Sequence, residues 1–252
     1  MHLFYGGFGM ITYKLYTNIG SRDTNEDSVG ELEKDGSYCF VLADGLGGHG
    51  RGEVASSIAV ETALKLFDEN GNSSEYPAEC FRKVQETVME RQSSSPELAD
   101  MKTTMVLLRI DREEIIWGHI GDSRLYHFQS GKLKSHTLDH SVPQMLVSAG
   151  EIKEKDIRFH EDRNRLLRVI GAEWGNRSFD LSELIGRRSG QAFLMCSDGF
   201  WELIDEKQMI KCLRAANTVE EWMDSMVEIV NAEGAGKDMD NNSAIAVWVT
   251  KE

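Results

Sequence analysis

Three aspartates stand where apolar segments end. They are Asp44, Asp122 and Asp198, and glycine directly follows the first and the third. A single carboxylate in such a place is usually a turn residue or the N-cap of the next helix. Repetition of the pattern is harder to explain by turns, and a fourth acidic segment, residues 238–242, comes just before the apolar run 244–249. We therefore predict that buried strands bring these carboxylates to one edge of the protein.

Clustered carboxylates repel one another, so either their pKa values rise or a cation lies among them. Oxygen ligands without a cysteine or histidine cluster favour a hard ion, Mg²⁺ or Mn²⁺. Neither a Ser/His/Asp spacing nor a cysteine nucleophile stands out, so water activated by metal ions is the simpler nucleophile. The scattered cysteines are predicted to be reduced core residues and not a zinc site or disulfides: Cys39, Cys80, Cys196 and Cys212.

The chain has 252 residues, of which 40% are apolar, and this suits a single domain with a substantial core. Its formal net charge of -14 argues against a nucleic-acid partner, and a phosphate-bearing substrate would need metal ions to reverse the local sign. Residues 1–10 lack the basic start of a signal peptide and are too short to span a bilayer. We expect them to be an N-terminal extension of a cytoplasmic protein without membrane contact, and we expect residues 11–252 to form one domain.

Two strand-rich blocks alternate with two pairs of amphipathic helices. This order indicates the α+β class, as a four-layer α/β/β/α sandwich of two mainly antiparallel sheets flanked by helices. A polar stretch at about 148–162 has too few apolar residues for a core position and is predicted to be a surface flap. The predicted strands are 11–17, 29–32, 38–43, an antiparallel meander over 103–128, 179–184, 191–196 and 244–249. The predicted helices are 54–70, one that begins at Pro77, has apolar spacing to residue 88 and is broken at 93–96, then 142–149, 163–169, 206–215 and 219–232.

A competing interpretation comes from residues 45–50, which match the dinucleotide-binding pattern G-x-G-x-x-G after a strand and before a helix. Against it, Asp44 would lie beside the pyrophosphate, and the helix leads to a second helix where a parallel strand should follow. The histidines are scattered. His119 and His127 lie in strand segments, where a hydrogen-bonded structural role is expected, and His140 stands at a loop-to-helix junction where capping is expected.

Six short motifs occur in the order and rough spacing of the metal-dependent protein phosphatase family, protein phosphatase type 2C, in its compact bacterial form. The chain resembles that family from about residue 11 to its C-terminus. The motifs are Arg22-x-x-Asn25-Glu26-Asp27, Asp44-Gly45-x-Gly47-Gly48-His49, Gly121-Asp122-Ser123-Arg124, Asp139-His140-Ser141, Ser197-Asp198-Gly199 and Asp240-Asn241.

The resemblance implies a role for each matching residue. Asp44 matches a carboxylate that bridges two Mn²⁺ or Mg²⁺ ions, with the carbonyl of Gly45 as a further ligand, and Asp122 matches a ligand of a third, weaker ion. Arg22 matches the arginine that grips the substrate phosphate. The remaining matches are Asp198 and Asp240, which complete the shell of one ion, and Glu26 and Asp27, which hold metal-bound water; we assign Glu26 to the metal set and Asp27, with Arg22, to the catalytic set.

The implied reaction is metal-dependent hydrolysis of phosphoserine and phosphothreonine in proteins, opposing a serine/threonine kinase. One departure concerns the general acid, because Leu46 stands where eukaryotic members have a histidine, which leaves metal-bound water or His49 as the proton donor. A second is Glu202, at a position where an aspartate is often found. The alternatives are a phosphatase-like binding module without turnover and the nucleotide-binding interpretation.

Overall fold

Two antiparallel β-sheets pack face to face and carry helices on their outer faces. A computed structural model describes residues 9–46, 51–71, 73–175 and 178–250. The strands are β1 (Ile11–Asn18), β2 (Asp27–Lys34), β3 (Ser37–Leu46), β4 (Lys102–Thr103), β5 (Met105–Ile110), β6 (Glu114–Ile120), β7 (Arg124–Gln129), β8 (Lys132–His136), β9 (Asp180–Leu181), β10 (Ile185–Gly186), β11 (Gln191–Cys196) and β12 (Asn242–Val249). The helices are α1 (Gly52–Asn70), α2 (Tyr76–Ser94), α3 (Val142–Ser148), α4 (Asp198–Trp201), α5 (Glu206–Ala215) and α6 (Val219–Gly234), with short 3₁₀ helices at Pro96–Leu98 and Glu154–Phe159.

The first sheet has the strand order β1-β12-β11-β7-β8, and the second has the order β10-β6-β5-β3-β2, with β4 beside β3 and β9 beside β6. The neighbouring strands pair antiparallel in both sheets. Helices α1 and α2 cover the second sheet, and α5 and α6 cover the first. The predicted α+β sandwich of four layers is therefore confirmed.

Strand β3 is apolar without interruption because both of its faces are covered. Phe40 and Leu42 point into the core between the two sheets, whereas Cys39 and Val41 pack beneath α1 and α2. Alternate residues of a strand face opposite sides of a sheet, so one short run serves two cores. The cysteines are free and buried, as predicted: Cys39, Cys80, Cys196 and Cys212.

The prediction that 103–128 forms one antiparallel meander is wrong for its third strand, β7, which belongs to the other sheet. Strands β5 and β6 pair as expected, but β7 pairs with β11 and β8 in the other sheet. The chain crosses between the sheets at Gly121, whose φ of 100° lies in the left-handed region that favours glycine. This crossing places Asp122 at the end of the sandwich, between the two sheets.

The segment 163–169, predicted as a helix, instead leaves a turn at 161–164 and continues without regular secondary structure, apart from an isolated bridge between Leu166 and Ser141. Its backbone bonds to the loop before α3, with the Val142 amide donating to the Arg165 carbonyl and the Leu167 amide donating to the His140 carbonyl. The predicted strand 179–184 is replaced by the two-residue strands β9 and β10. None of the described helices is long and apolar enough to cross a membrane.

The flap at about 148–162 is more firmly attached than its polar composition suggests. Ile157 is 1% exposed and packs in the core beneath α5 and α6. Arg158 donates from Nη1 to the Ile204 carbonyl at 2.8 Å and forms an ion pair with Glu206 at 2.5 Å. One buried apolar side chain and one arginine therefore hold the flap against the first sheet's helices.

Candidate active site

Asp27 and Asp44 face each other across strands β2 and β3. The Asp44 backbone is clamped on its other side, because its carbonyl accepts from the Thr104 amide at 2.8 Å and from the Thr103 hydroxyl at 2.9 Å. Gly45 follows, and a Cβ at this position would lie 2.3 Å from the Gly52 backbone. Only glycine therefore allows the start of α1 to approach the strand this closely. β3 continues through Gly45 to Leu46, so Asp44 lies within the strand and not at its end.

Asp122 and Asp198 come from the two sheets and meet at the same end of the sandwich. Asp122 follows β6, and its backbone carbonyl accepts a hydrogen bond from the Trp201 indole at 3.0 Å. Asp198 follows β11 after one intervening residue, Ser197, and is the first residue of the one-turn helix α4, which the sequence interpretation missed. Burial, followed by repulsion from Asp240, raises the pKa of Asp198 to about 6. Burial, followed by repulsion from Asp198, raises the pKa of Asp122 well above its usual value.

Arg22 and Asp240 form a two-pronged ion pair at the edge of this acidic group. The Arg22 Nε and Nη2 atoms donate to the two carboxylate oxygens at 3.0 and 2.9 Å. The loop that carries Arg22 is tied down by Asn241, whose side chain accepts from the Glu26 amide at 2.8 Å and donates to the Ile19 carbonyl at 2.8 Å. The sequence motif contained Asn241 without indicating this role, which only the folded contacts reveal.

A cavity of about 660 Å³ joins these groups. Of the eight residues predicted for the site, all except Asp27 line it, and Leu46 does so as well. Asn164 and Leu166 also line it, and sequence reasoning missed both because it assigned their segment to a helix. His49 and the adjoining glycines 47, 48 and 50 lie outside the described residues. The lining is Arg22, Thr24, Glu26, Asp44, Gly45, Leu46, Asp122, Asn164, Leu166, Asp198, Asp240 and Asn241.

Asp27 lies behind Asp44. Its Oδ2 atom accepts from the Ser197 hydroxyl at 2.9 Å, while its Oδ1 atom is buried without a partner among the described residues. Burial raises the pKa of Asp27 to about 7, against the lowering effect of hydrogen bonds from Ser243 and Ser197. The structure therefore brings the predicted residue to the site but places it outside the cavity wall.

The donor set fits hard divalent cations. The ligand atoms offered to the cavity are oxygens, which Mg²⁺ and Mn²⁺ prefer. Burial and the neighbouring carboxylates of Asp27 and Asp198 raise the pKa of Asp44 well above its usual value. A bound cation would remove this repulsion, because it favours the charged form of each carboxylate. The clustered acids therefore have raised pKa values in the absence of a cation, and their oxygens line a cavity that suits one.

A second group of metal-ligand type, His119, His140 and Asp180, lies nearby but does not suit a metal. The Gly121 amide donates to His140 Nδ1 at 3.2 Å, so the proton of the neutral ring is on Nε2, which donates to Asp180 at 3.0 Å. A metal needs the unprotonated nitrogen. The expected capping role of His140 is also wrong, because the hydroxyl of the next residue, Ser141, caps α3.

An acid-lined cavity for hard cations, with an arginine fork at its edge, is typical of enzymes that hydrolyse phosphate esters with metal ions. The antiparallel sheet and the helix-to-helix connection after β3 exclude the dinucleotide fold, in which a parallel strand would follow. The fold and the site thus define a metal-dependent phosphohydrolase.

Comparison with known proteins agrees with this class. Residues 16–242 match the family model for protein phosphatase 2C. A serine/threonine phosphatase, stp, from Listeria monocytogenes is 31% identical over 226 residues, which cover 86% of this chain and 88% of that protein. The chain belongs to the protein phosphatase 2C family.

Solved structures show the same similarity. The Mycobacterium tuberculosis serine/threonine phosphatase PstP/Ppp superposes with a TM-score of 0.83 at 27% identity, covering 95% of this chain and 99% of that one. A PstP catalytic domain in complex with two manganese ions gives a TM-score of 0.80 at 27% identity, covering 95% of this chain and 98% of that one. The fold described here is therefore shared along nearly the whole chain.

Proposed function

We propose that this protein hydrolyses phosphoserine and phosphothreonine monoesters in proteins and depends on Mn²⁺ or Mg²⁺. The observation that carries the proposal is the gathering of Arg22 and the carboxylates of Glu26, Asp44, Asp122, Asp198 and Asp240 around one cavity. The alternative of a binding module without turnover is not favoured, because the predicted metal carboxylates are present and converge.

In this proposal Asp44, the Gly45 carbonyl, Asp198 and Asp240 would hold two ions, and Asp122 would contribute to a third. Bound ions supply a nucleophile from water at neutral pH and neutralise charge on the phosphate during in-line displacement. Glu26 and Asp27 orient water from the loop and the strand next to Asp44, supported by the Glu26 amide bond to Asn241 and the Ser197 bond to Asp27.

Arg22 would bind two phosphate oxygens through the N–H groups of its planar guanidinium that the pair with Asp240 leaves available, on Nη1 and Nη2. Its bidentate contact with Asp240 holds the guanidinium at the mouth of the cavity. Lysine offers a point charge without this fork, so Arg22→Lys would retain only part of the phosphate affinity. Arg22→Ala would lose more, and KM should rise further than kcat falls.

The test is hydrolysis of a phosphothreonine peptide and of a small aryl phosphate with Mn²⁺, with Mg²⁺ and with chelator. We expect metal-dependent release of phosphate that chelator abolishes. Asp44→Asn should lower kcat by at least about 100-fold, since it would weaken the binding of the cations that stabilise the negative charge developing in the transition state. Asp23→Asn, an exposed acid in the Arg22 loop, is the matched control and should retain activity. Full activity of Asp44→Asn would refute the site.

We further propose that the substrate is a phosphoprotein of the cytoplasm and that a serine/threonine kinase opposes this enzyme. The free buried cysteines support a reducing compartment. Proteins that gain phosphothreonine when the gene is deleted, and lose it when the active enzyme is added back, would identify the substrates. An unchanged phosphoproteome would contradict this part of the proposal and leave the activity in vitro untouched.

A further inference from the structure

A second cavity, of about 770 Å³, opens at the other end of strands β7 and β11 from the active site. We call it the edge cavity, and its lining is His127, Gln129, Lys134, Ile185, Gly186, Arg188, Ser189 and Gln191. It lies where the edges of the two sheets, β8 and β10, separate. None of these residues lines the active-site cavity.

His127 is the feature of the edge cavity that the fold itself does not explain. It is 9% exposed, and its Nε2 atom has no hydrogen-bond partner in the described part of the chain. Its ring stacks on Phe193 at 4.9 Å between centroids and lies 5.7 Å from Trp117. His119, by contrast, fulfils the expected structural role, with Nε2 bonded to the Leu138 carbonyl at 2.8 Å. Buried polar groups normally have partners, so the unpaired imidazole indicates a place for a ligand.

The rest of the lining has two parts: a buried glutamine whose hydrogen bonds are made within the protein, and two exposed basic side chains. Gln191 is buried, and its amide group is occupied by the Arg188 backbone amide at 2.7 Å and the Gly186 carbonyl at 3.1 Å. Lys134 and Arg188 are exposed, and neither has an ion-pair partner within 4.0 Å among the described residues. The lining contains no carboxylate, although the whole chain carries a net charge of -14.

We propose that the edge cavity binds a small organic anion, with its anionic group between Lys134 and Arg188 and its apolar body against Ile185 and the His127 ring. The volume falls in the range of about 300–1,000 Å³ that is usual for small-molecule sites. Most of these lining residues carry a polar group, but carbon atoms supply most of the cavity surface, and an apolar surface with a few convergent polar groups is also typical of such sites. The His127 Nε2 atom supplies the buried polar contact, and burial keeps that ring neutral, with its pKa lowered to about 4.

Binding is tested by NMR of the histidine imidazole signals in the full-length, chelator-treated protein, with phenyl phosphate as the probe. Without metal the probe is not hydrolysed. The signal missing from His127→Gln identifies His127 in the wild type, and we expect it to shift saturably with phenyl phosphate. Inorganic phosphate, which lacks the apolar body, should shift it less, and benzyl alcohol, which lacks the charge, should not shift it.

Variants then separate the edge cavity from the active site. Arg188→Ala and Lys134→Ala should each weaken the binding about fivefold or more, as expected for loss of a favourable charged contact. Lys132→Ala is the matched control, because Lys132 is an exposed lysine on the same strand and does not line the cavity. Arg22→Ala, in the active site, should leave the shift unchanged. A shift that depends on Arg22 and not on Arg188, or no shift at millimolar probe, would overturn the proposal.

Discussion

Replacing Asp139 by asparagine should destabilise the whole protein, because it leaves the Arg124 guanidinium buried without a counter-charge. The two side chains are 3% and 2% exposed, and two hydrogen bonds of 2.7 Å join them. Removing one partner of a buried ion pair costs about 3–5 kcal/mol. Arg124 retains a hydrogen bond to the Tyr126 hydroxyl and a contact with the Trp201 ring at 3.5 Å, so we expect the lower end, about 3 kcal/mol.

The measurement is urea unfolding of chelator-treated Asp139→Asn and wild type at one pH. An exposed pair provides the control, because Lys83 and Glu86 are 2.6 Å apart with about half of each side chain exposed. Glu86→Gln should cost no more than about 1 kcal/mol. The double variant Arg124→Met/Asp139→Leu should be destabilised by less than the sum of its two single variants, since it removes both charges together.

Asp139→Asn should also weaken metal binding at the active site, because one contact links Arg124 to Asp122 through Trp201. The Trp201 indole, which lies against Arg124, donates to the Asp122 carbonyl at 3.0 Å. A displaced guanidinium would therefore loosen Asp122, and the folded fraction of Asp139→Asn should bind Mn²⁺ more weakly than wild type. A loss of stability below about 1 kcal/mol, equal to that of the exposed pair, would refute the reasoning.

Three further outcomes follow from the described contacts. The pKa of His127 is lowered to about 4 in the folded protein from about 6.5 when unfolded, so stability should fall by about 2.5 kcal/mol as pH drops from 6.5 to 4, and urea unfolding of His127→Gln should lack this loss. Gly45→Ala places a Cβ 2.3 Å from the Gly52 backbone and should cost at least about 1–3 kcal/mol and most activity, whereas Gly175→Ala, whose Cβ would meet no atom of the described residues within 4 Å, should cost neither. Arg158→Ala should release the flap, which limited proteolysis would detect as faster cleavage within 148–162 while the far-ultraviolet circular dichroism stays unchanged.

The predictable part of the fold rests on periodicity and chain breaks. Helix α2 begins beside Pro77 and ends at Ser94, before Pro96, close to where the sequence indicated. The acidic motifs also converge as predicted, because strands β3, β11 and β12 end or begin at one side of the sandwich. The runs and breaks depend on residues close together in sequence, so a single sequence shows them directly. The convergence of the motifs is a long-range feature, and it could be inferred only because the same pattern of an apolar run followed by an aspartate is repeated along the chain.

The features that were missed depend on partners far away in sequence. Residues 163–169 have helical spacing, but their backbone bonds to the loop at 140–142, which brings Leu166 and Asn164 to the cavity. Ile157 is one of the few apolar residues in a polar stretch and becomes a core residue through contacts beneath α5. Tertiary pairing overrides local pattern in both cases, and no local signal precedes it.

The active site carries a cost in stability that only its ligands can offset. Burial and mutual repulsion raise the pKa values of Asp27, Asp44, Asp122 and Asp198, so each carboxylate is less favourably charged here than in the unfolded chain. The Arg22–Asp240 pair offsets little of this cost, because its side chains are 46% and 43% exposed.

The negative field of the same carboxylates would also repel a phosphate dianion. Divalent cations resolve both conflicts at once, because they neutralise the carboxylates and attract the phosphate, and Arg22 then adds the directional contact. Metal affinity and phosphate affinity should therefore be thermodynamically linked, each ligand strengthening the binding of the other.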